Sequence, residues 1–121
     1  MMGSGGMIVM DEDNCMVDFA RFFLSFLEDE SCGKCTPCRE GSSWLVQTMR
    51  RIVAKRGRME DLETLVDLCK NIAGRTVCAF GDAAVAPIMS TLKHWEPEYV
   101  TLIHEAEAAN LLHPKRIMAR P

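Results

Sequence analysis

Three closely spaced cysteines constrain this chain more than any other feature of its sequence. Cys32, Cys35 and Cys38 lie in the run 31–41, SCGKCTPCREG, where a short loop can turn three thiolates toward one point. Thiolates are soft donors, and a cubane iron–sulfur cluster takes one from each of its four irons. With Cys78 returning from further along the chain, the spacing predicts a four-cysteine cluster site.

A structural zinc site on the same four cysteines is the alternative interpretation. Zinc modules usually supply their ligands as two separated pairs, whereas the first three cysteines here form an overlapping triplet. The spacing therefore favours the cluster. The alternative function is a zinc-stabilised helical module that only mediates assembly.

The other two of the six cysteines are predicted to pack rather than to bind. Cys69 is in phase with a helical apolar stripe, and Cys15 near the start of the first helix is expected to be a small buried residue. Disulfides are not expected, because cysteines two residues apart on a short turn rarely meet disulfide geometry.

Composition and charge exclude several classes of partner. The 121 residues are 48% hydrophobic and 26% charged, which suits one soluble domain, and the net charge is −3. The basic residues are dispersed, so no nucleic acid is expected. The apolar stretches are too short to span a bilayer, and no signal peptide opens the chain. We therefore expect no direct membrane insertion, and a location in the cytoplasm or on the inner face of a membrane complex.

Apolar periodicity predicts an all-α fold, a small bundle of four to five helices with the cluster-binding loop at one end and a short N-terminal strand. Phe26 and Trp44 are expected on buried helix faces, and Thr36 is the expected cap of the second helix. The predicted elements are a strand at 7–10 and helices at about 15–28, 37–56, 59–73, 84–95 and 96–110.

Helix lengths explain the gap between the third and fourth cysteines. The second helix would climb roughly 28 Å away from Cys38 and the third would descend a similar distance. This hairpin brings Cys78 beside the triplet. The cluster would then face free backbone N–H groups and the positive end of the second helix, with Cys38 in its first turn.

The chain is expected to divide into three segments. Residues 1–14 would be a linker and an orphan strand from a missing upstream domain, 15–110 the helical cluster domain, and 111–121 a basic tail.

Residues beside the cysteines are candidates for tuning the site. Lys34 and Arg39 could offset the charge of an all-thiolate cluster, and N–H groups around Gly33 and Thr36 could bond its sulfurs. The three histidines show no spacing for a second metal site, and no nucleophile has a base nearby. The residues therefore predict electron relay, with no catalytic residue.

The block 30–41 closely resembles the cluster motif of the FMN-carrying, NADH-oxidising flavoprotein subunit of respiratory NADH:quinone oxidoreductase (complex I). Related subunits of NAD-linked hydrogenases and formate dehydrogenases share this motif. The likeness continues through 3–11, 57–62 and 74–84. Which of these relatives the chain belongs with stays open.

The resemblance implies the C-terminal domain of that subunit, holding one [4Fe–4S] cluster through Cys32, Cys35, Cys38 and Cys78. In the family this cluster takes electrons one at a time from reduced FMN and passes them to further clusters. FMN and NAD(H) would be bound only by the parent subunit, so this chain is not expected to oxidise NADH alone. The implied partners are the upstream FMN/NADH-binding domains and other iron–sulfur subunits.

Overall fold

Helices account for all regular secondary structure in the described part of the chain. The structure, a computed structural model, describes residues 5–112, with side chains described as far as Ala108. This range confirms the predicted all-α class. The four helices are α1 (Met16–Asp29), α2 (Thr36–Val53), α3 (Met59–Ile72) and α4 (Phe80–Leu112).

One core joins the four helices. α1 packs against α2 and α4, α3 packs against the same two helices, and α2 also contacts α4. The largest fully buried side chains of the core are Leu24, Leu45, Met49, Ile52, Leu65, Ile72, Ile88, Tyr99 and Ile103. Each such side chain contributes about 1.5–3 kcal/mol by leaving water. No helix among the described residues is long and apolar enough to cross a membrane.

The fourth and fifth predicted helices are one kinked element. Trp95 has φ −131° and ψ 30°, which is not helical, and Pro97 follows it. Proline has no N–H and its ring crowds the carbonyl one turn earlier, so a bend here is expected. The buried hydroxyls of Thr91 and Tyr99 form a 2.7 Å hydrogen bond across the bend. The predicted break at residues 95 and 96 is therefore confirmed as a kink.

The predicted strand is wrong. Residues 7–10 are exposed and irregular, and no strand lies beside them within 5–112. A single strand cannot satisfy its own backbone hydrogen bonds, so β-prone residues alone do not form one.

Two predicted core aromatics are also misplaced. Phe26 is 54% exposed and Trp44 is 56% exposed. The buried stripe of α1 is instead Val17, Ala20 and Leu24, which repeats at helical spacing as well as the aromatic residues do. Of the predicted tail, 111 and 112 end α4, and 113–121 lie outside the described residues.

Lys55 ends α2 in a strained conformation that generates a prediction. Its φ is +54°, the left-handed region that glycine adopts freely, and its ammonium pairs with Glu105 at 2.7 Å. Lys55→Ala should lose the exposed ion pair and keep the strain. Lys55→Gly should be more stable than Lys55→Ala by about 1 kcal/mol, because only the strain differs. Urea denaturation of both variants measures this, and equal stabilities would contradict it.

Cys69 is buried, as its phase on the helix predicted, with 1% of its surface exposed. Burial raises the pKa of its thiol from 9.0 to about 12. Burial likewise raises the pKa of Tyr99 from 10.0 to about 12. Both groups favour the fold while they are neutral, so their contribution is complete below their unfolded-state pKa values and is lost as pH rises.

The Cys69 thiol should therefore weaken the fold in alkali. Between pH 9 and 12 the unfolded chain releases a proton that the folded chain keeps, at about 1.4 kcal/mol per pH unit. Cys69→Ala should remove this slope and leave the contribution of Tyr99. Denaturant melts from pH 8 to 11 test it. Identical slopes for the variant and the unaltered chain would show that Cys69 ionises freely in the fold.

Candidate metal centre

The start of α2 positions the cysteine triplet. Cys35 is the N-cap with an extended ψ of 122°, so α2 begins at Thr36, one residue after the observed cap, and the predicted cap at Thr36 is displaced by one residue. Pro37 fits the first turn, where its missing N–H would have no helical partner. Cys38 lies in the same turn and is 7% exposed, so its predicted place is confirmed.

A turn at Gly33 brings the start of the triplet back toward this helix end. Its φ is +72°, and its carbonyl accepts a 2.7 Å hydrogen bond from the Arg39 guanidinium. The loop from Cys32 to Cys35 is thereby tied to the residue that follows Cys38.

The loop after α3 carries the fourth cysteine to the same place. Gly74 N–H donates to Asp82 Oδ1 at 2.8 Å, and Thr76 Oγ1 donates to the Cys78 carbonyl at 2.8 Å. Val77 N–H reaches across to Cys35 Sγ at 3.5 Å. These bonds join the loop to the start of α4 and to the triplet.

All four predicted cysteines line one cavity of about 160 Å³. Cys32 and Cys78 are exposed, Cys35 is intermediate and Cys38 is buried; Phe80 and Gly81 complete the wall. No three His, Cys, Asp or Glu side chains within 5–112 are gathered as they would be around a single ion. The cavity has room for several water molecules, and four thiols are the donors of a cubane cluster. Donor set and space therefore fit an iron–sulfur group.

The electrostatic setting differs from the sequence prediction in two ways. Two helix N-termini border the cavity, those of α2 and α4, and both present the positive end of a dipole to an anionic group. Lys34 lines the cavity as expected, but Glu30 lines it too, and Arg39 pairs with Glu40 at 2.9 Å. The side-chain charges around the cavity therefore partly cancel.

The backbone donors were predicted at the wrong residues. Gly33 N–H donates to Ser31 Oγ at 3.3 Å rather than to a sulfur. Val77 N–H is the backbone group that bonds a cysteine sulfur. Sequence reasoning missed Val77 because its position depends on how two distant loops meet. The roles of Phe80, Gly81 and Asp82 were missed for the same reason.

The remaining candidates lie away from this cavity. Cys15 is exposed, so the expectation that it is buried is wrong; it is the N-cap of α1, where Glu98 accepts the N–H of Met16 at 2.9 Å. His104 faces Glu107 on the surface of α4. His113 is outside the described residues. A wider depression of about 900 Å³, between α3 and α4, contains no cysteine.

Comparison with known families agrees with the motif. The family described as the NADH-ubiquinone oxidoreductase-F iron-sulfur binding region matches residues 18–102, which is more than half of the chain. This match confirms the resemblance predicted from the cysteine block.

Relatives of known sequence and structure come from two kinds of enzyme. One of the F subunits of NADH-quinone oxidoreductase in Rhizobium meliloti (strain 1021), numbered 2, is 50% identical over 105 residues, 87% of this chain and 25% of that protein. The NADP-reducing hydrogenase subunit HndC of Solidesulfovibrio fructosivorans is 48% identical over 99 residues, 82% of this chain and 20% of that one. An air-oxidized NAD⁺-reducing [NiFe]-hydrogenase matches with a TM-score of 0.75 and 26% identity, over 85% of this chain and 20% of its own. The chain thus spans a quarter or less of these relatives.

Gly81 generates a prediction about the loop that carries Cys78. A Cβ at this position would lie 2.9 Å from Thr76 Cβ and closer still to its Oγ1 and Cγ2, and Gly81 is buried. Gly81→Ala should push Thr76 off the Cys78 carbonyl and loosen the loop. We expect faster release of bound iron to a chelator, with a smaller change in melting temperature.

Gly6→Ala is the control for this variant, because nothing lies within 4 Å of its Cβ position and its φ is not positive. Release kinetics followed by absorbance compare the two. Equal rates for Gly81→Ala and Gly6→Ala would show that this contact does not hold the loop.

Proposed function

Since the chain belongs to the NADH-ubiquinone oxidoreductase-F iron–sulfur binding family, we propose that it holds one [4Fe–4S] cluster and relays electrons through it. Cys32, Cys35, Cys38 and Cys78 are the proposed ligands. The observation that carries the proposal is the cavity that these four thiols share at the meeting point of three helix ends.

The protein groups around the cavity suit an anionic redox centre. When bound, such a cluster supplies one-electron acceptance and donation without bond making. The N-termini of α2 and α4 favour negative charge there, and Val77 N–H bonds the sulfur of Cys35. Phe80 covers one wall and limits the access of water. These groups hold the thiolates in place and stabilise added charge.

The proposal extends to the source and destination of the electrons. In the longer protein of which relatives of this kind consist, reduced FMN would supply them and further iron–sulfur subunits would receive them. NADH oxidation and FMN binding are assigned to that longer protein. Residues 15–110 would form its cluster domain.

Metal content and ligand substitution test the proposal. Protein purified anaerobically, with cluster reconstitution if needed, should contain iron and sulfide at about four each per chain, as a [4Fe–4S] cluster requires. Serine at any of the four positions should abolish or strongly reduce the cluster, because an alkoxide is a harder and more basic donor than a thiolate. Iron and sulfide assays and electron paramagnetic resonance of the reduced protein measure both.

Cys15→Ser is the matched control, since Cys15 is exposed, as Cys32 and Cys78 are, but lies at α1. It should keep the full cluster. Zinc in place of iron and sulfide would instead support the assembly module. Retention of the cluster by Cys78→Ser together with its loss from Cys69→Ser would refute the proposed ligand set.

A further inference from the structure

A hydroxyl contacts the most buried of the four cysteine sulfurs. Ser31 Oγ lies 3.5 Å from Cys38 Sγ, and Ser31 is half-buried. The same oxygen accepts the N–H of Gly33 at 3.3 Å. Ser31 thus sits between a backbone donor and a cysteine sulfur.

These two contacts fix the direction of the hydroxyl proton. Gly33 N–H can only donate, so the Ser31 oxygen is its acceptor. A deprotonated Cys38 sulfur can only accept, so the Ser31 O–H must point at it. The result is a short chain in which Gly33 N–H polarises the Ser31 hydroxyl and the hydroxyl donates to Cys38 Sγ.

We infer that Ser31 is a positioning residue that raises the reduction potential of the cluster through the sulfur of Cys38; this inference rests on the proposed function. Reduction adds negative charge to the cluster and its ligands, so a hydrogen bond to a ligand sulfur stabilises the reduced state more than the oxidised state. The hydroxyl acts at short range on the cysteine that has the least contact with water.

The charged neighbours are less suited to this role. Lys34 is exposed, so water and salt screen its charge. Glu30 lines the same cavity with the opposite charge, and Arg39 is already paired with Glu40. The neutral hydroxyl keeps its effect at high ionic strength, which separates its contribution from theirs.

Threonine and valine at position 31 provide a test in which shape is nearly constant. Ser31→Thr keeps a hydroxyl, and Ser31→Val replaces that hydroxyl with a methyl group. Redox titration of the reconstituted chain, followed by electron paramagnetic resonance, gives the midpoint potential of each. We expect Ser31→Val and Ser31→Ala to make the cluster about tenfold harder to reduce, a fall of about 59 mV for one electron. Ser31→Thr should stay near the unaltered value.

Ser43→Ala is the control, because Ser43 lies on α2 and its hydroxyl accepts from Gln47 rather than contacting sulfur. It should leave the potential unchanged. The differences among the Ser31 variants should persist from low to high salt, as expected for a hydrogen bond.

Three outcomes would overturn the inference. Equal potentials for Ser31→Val and Ser31→Thr would show that the hydroxyl has no effect. A difference that disappears at high salt would assign the effect to charge. Failure of both hydroxyl-free variants to bind a cluster that Ser31→Thr binds would assign the hydroxyl to cluster assembly. Absence of iron from the unaltered chain would instead refute the proposed function, so the two failures are distinguishable.

Discussion

Four thiols that must face one cavity require three helix ends to meet, and the rest of the bundle follows from this requirement. α2 has 18 residues and α3 has 14, so at 1.5 Å per residue they run about 27 Å and about 21 Å. A hairpin of two such helices returns the chain close to its starting level. The loop before α4 then spans the remaining distance and carries Cys78 to the triplet.

The far end of that hairpin is fixed by a buried carboxylate. Asp61 is buried at the start of α3, where it accepts from the Arg51 guanidinium of α2 and from the N–H of Arg58 at 2.9 Å. Removing either partner would leave a buried charge incompletely bonded, which is costly. The pair therefore sets the register of α2 against α3, and a shift there would be transmitted along rigid helices to the cysteines.

The sequence was sufficient for features that depend on local spacing. The helical class, the hairpin, the phase of Cys69 and the break near Trp95 all follow from periodicity and from proline. It was insufficient where two surfaces of one helix were equally apolar, as at Phe26. It was also insufficient where an interaction joins residues far apart in the chain, as for Val77 with Cys35 and Glu98 with the start of α1. Only the packed structure brings such groups together.

The core and the cysteine cavity depend on different interactions. The core consists of apolar side chains along the helices, whereas three of the four cavity cysteines lie outside it and are held by a few hydrogen bonds from Thr76, Val77 and Asp82. Each bond of this kind is worth only about 0.5–1.5 kcal/mol, and four thiolates facing one another would repel. The bundle can therefore form from its own apolar burial, while the order of the two cysteine loops depends on a bound cation-containing group that neutralises the thiolates.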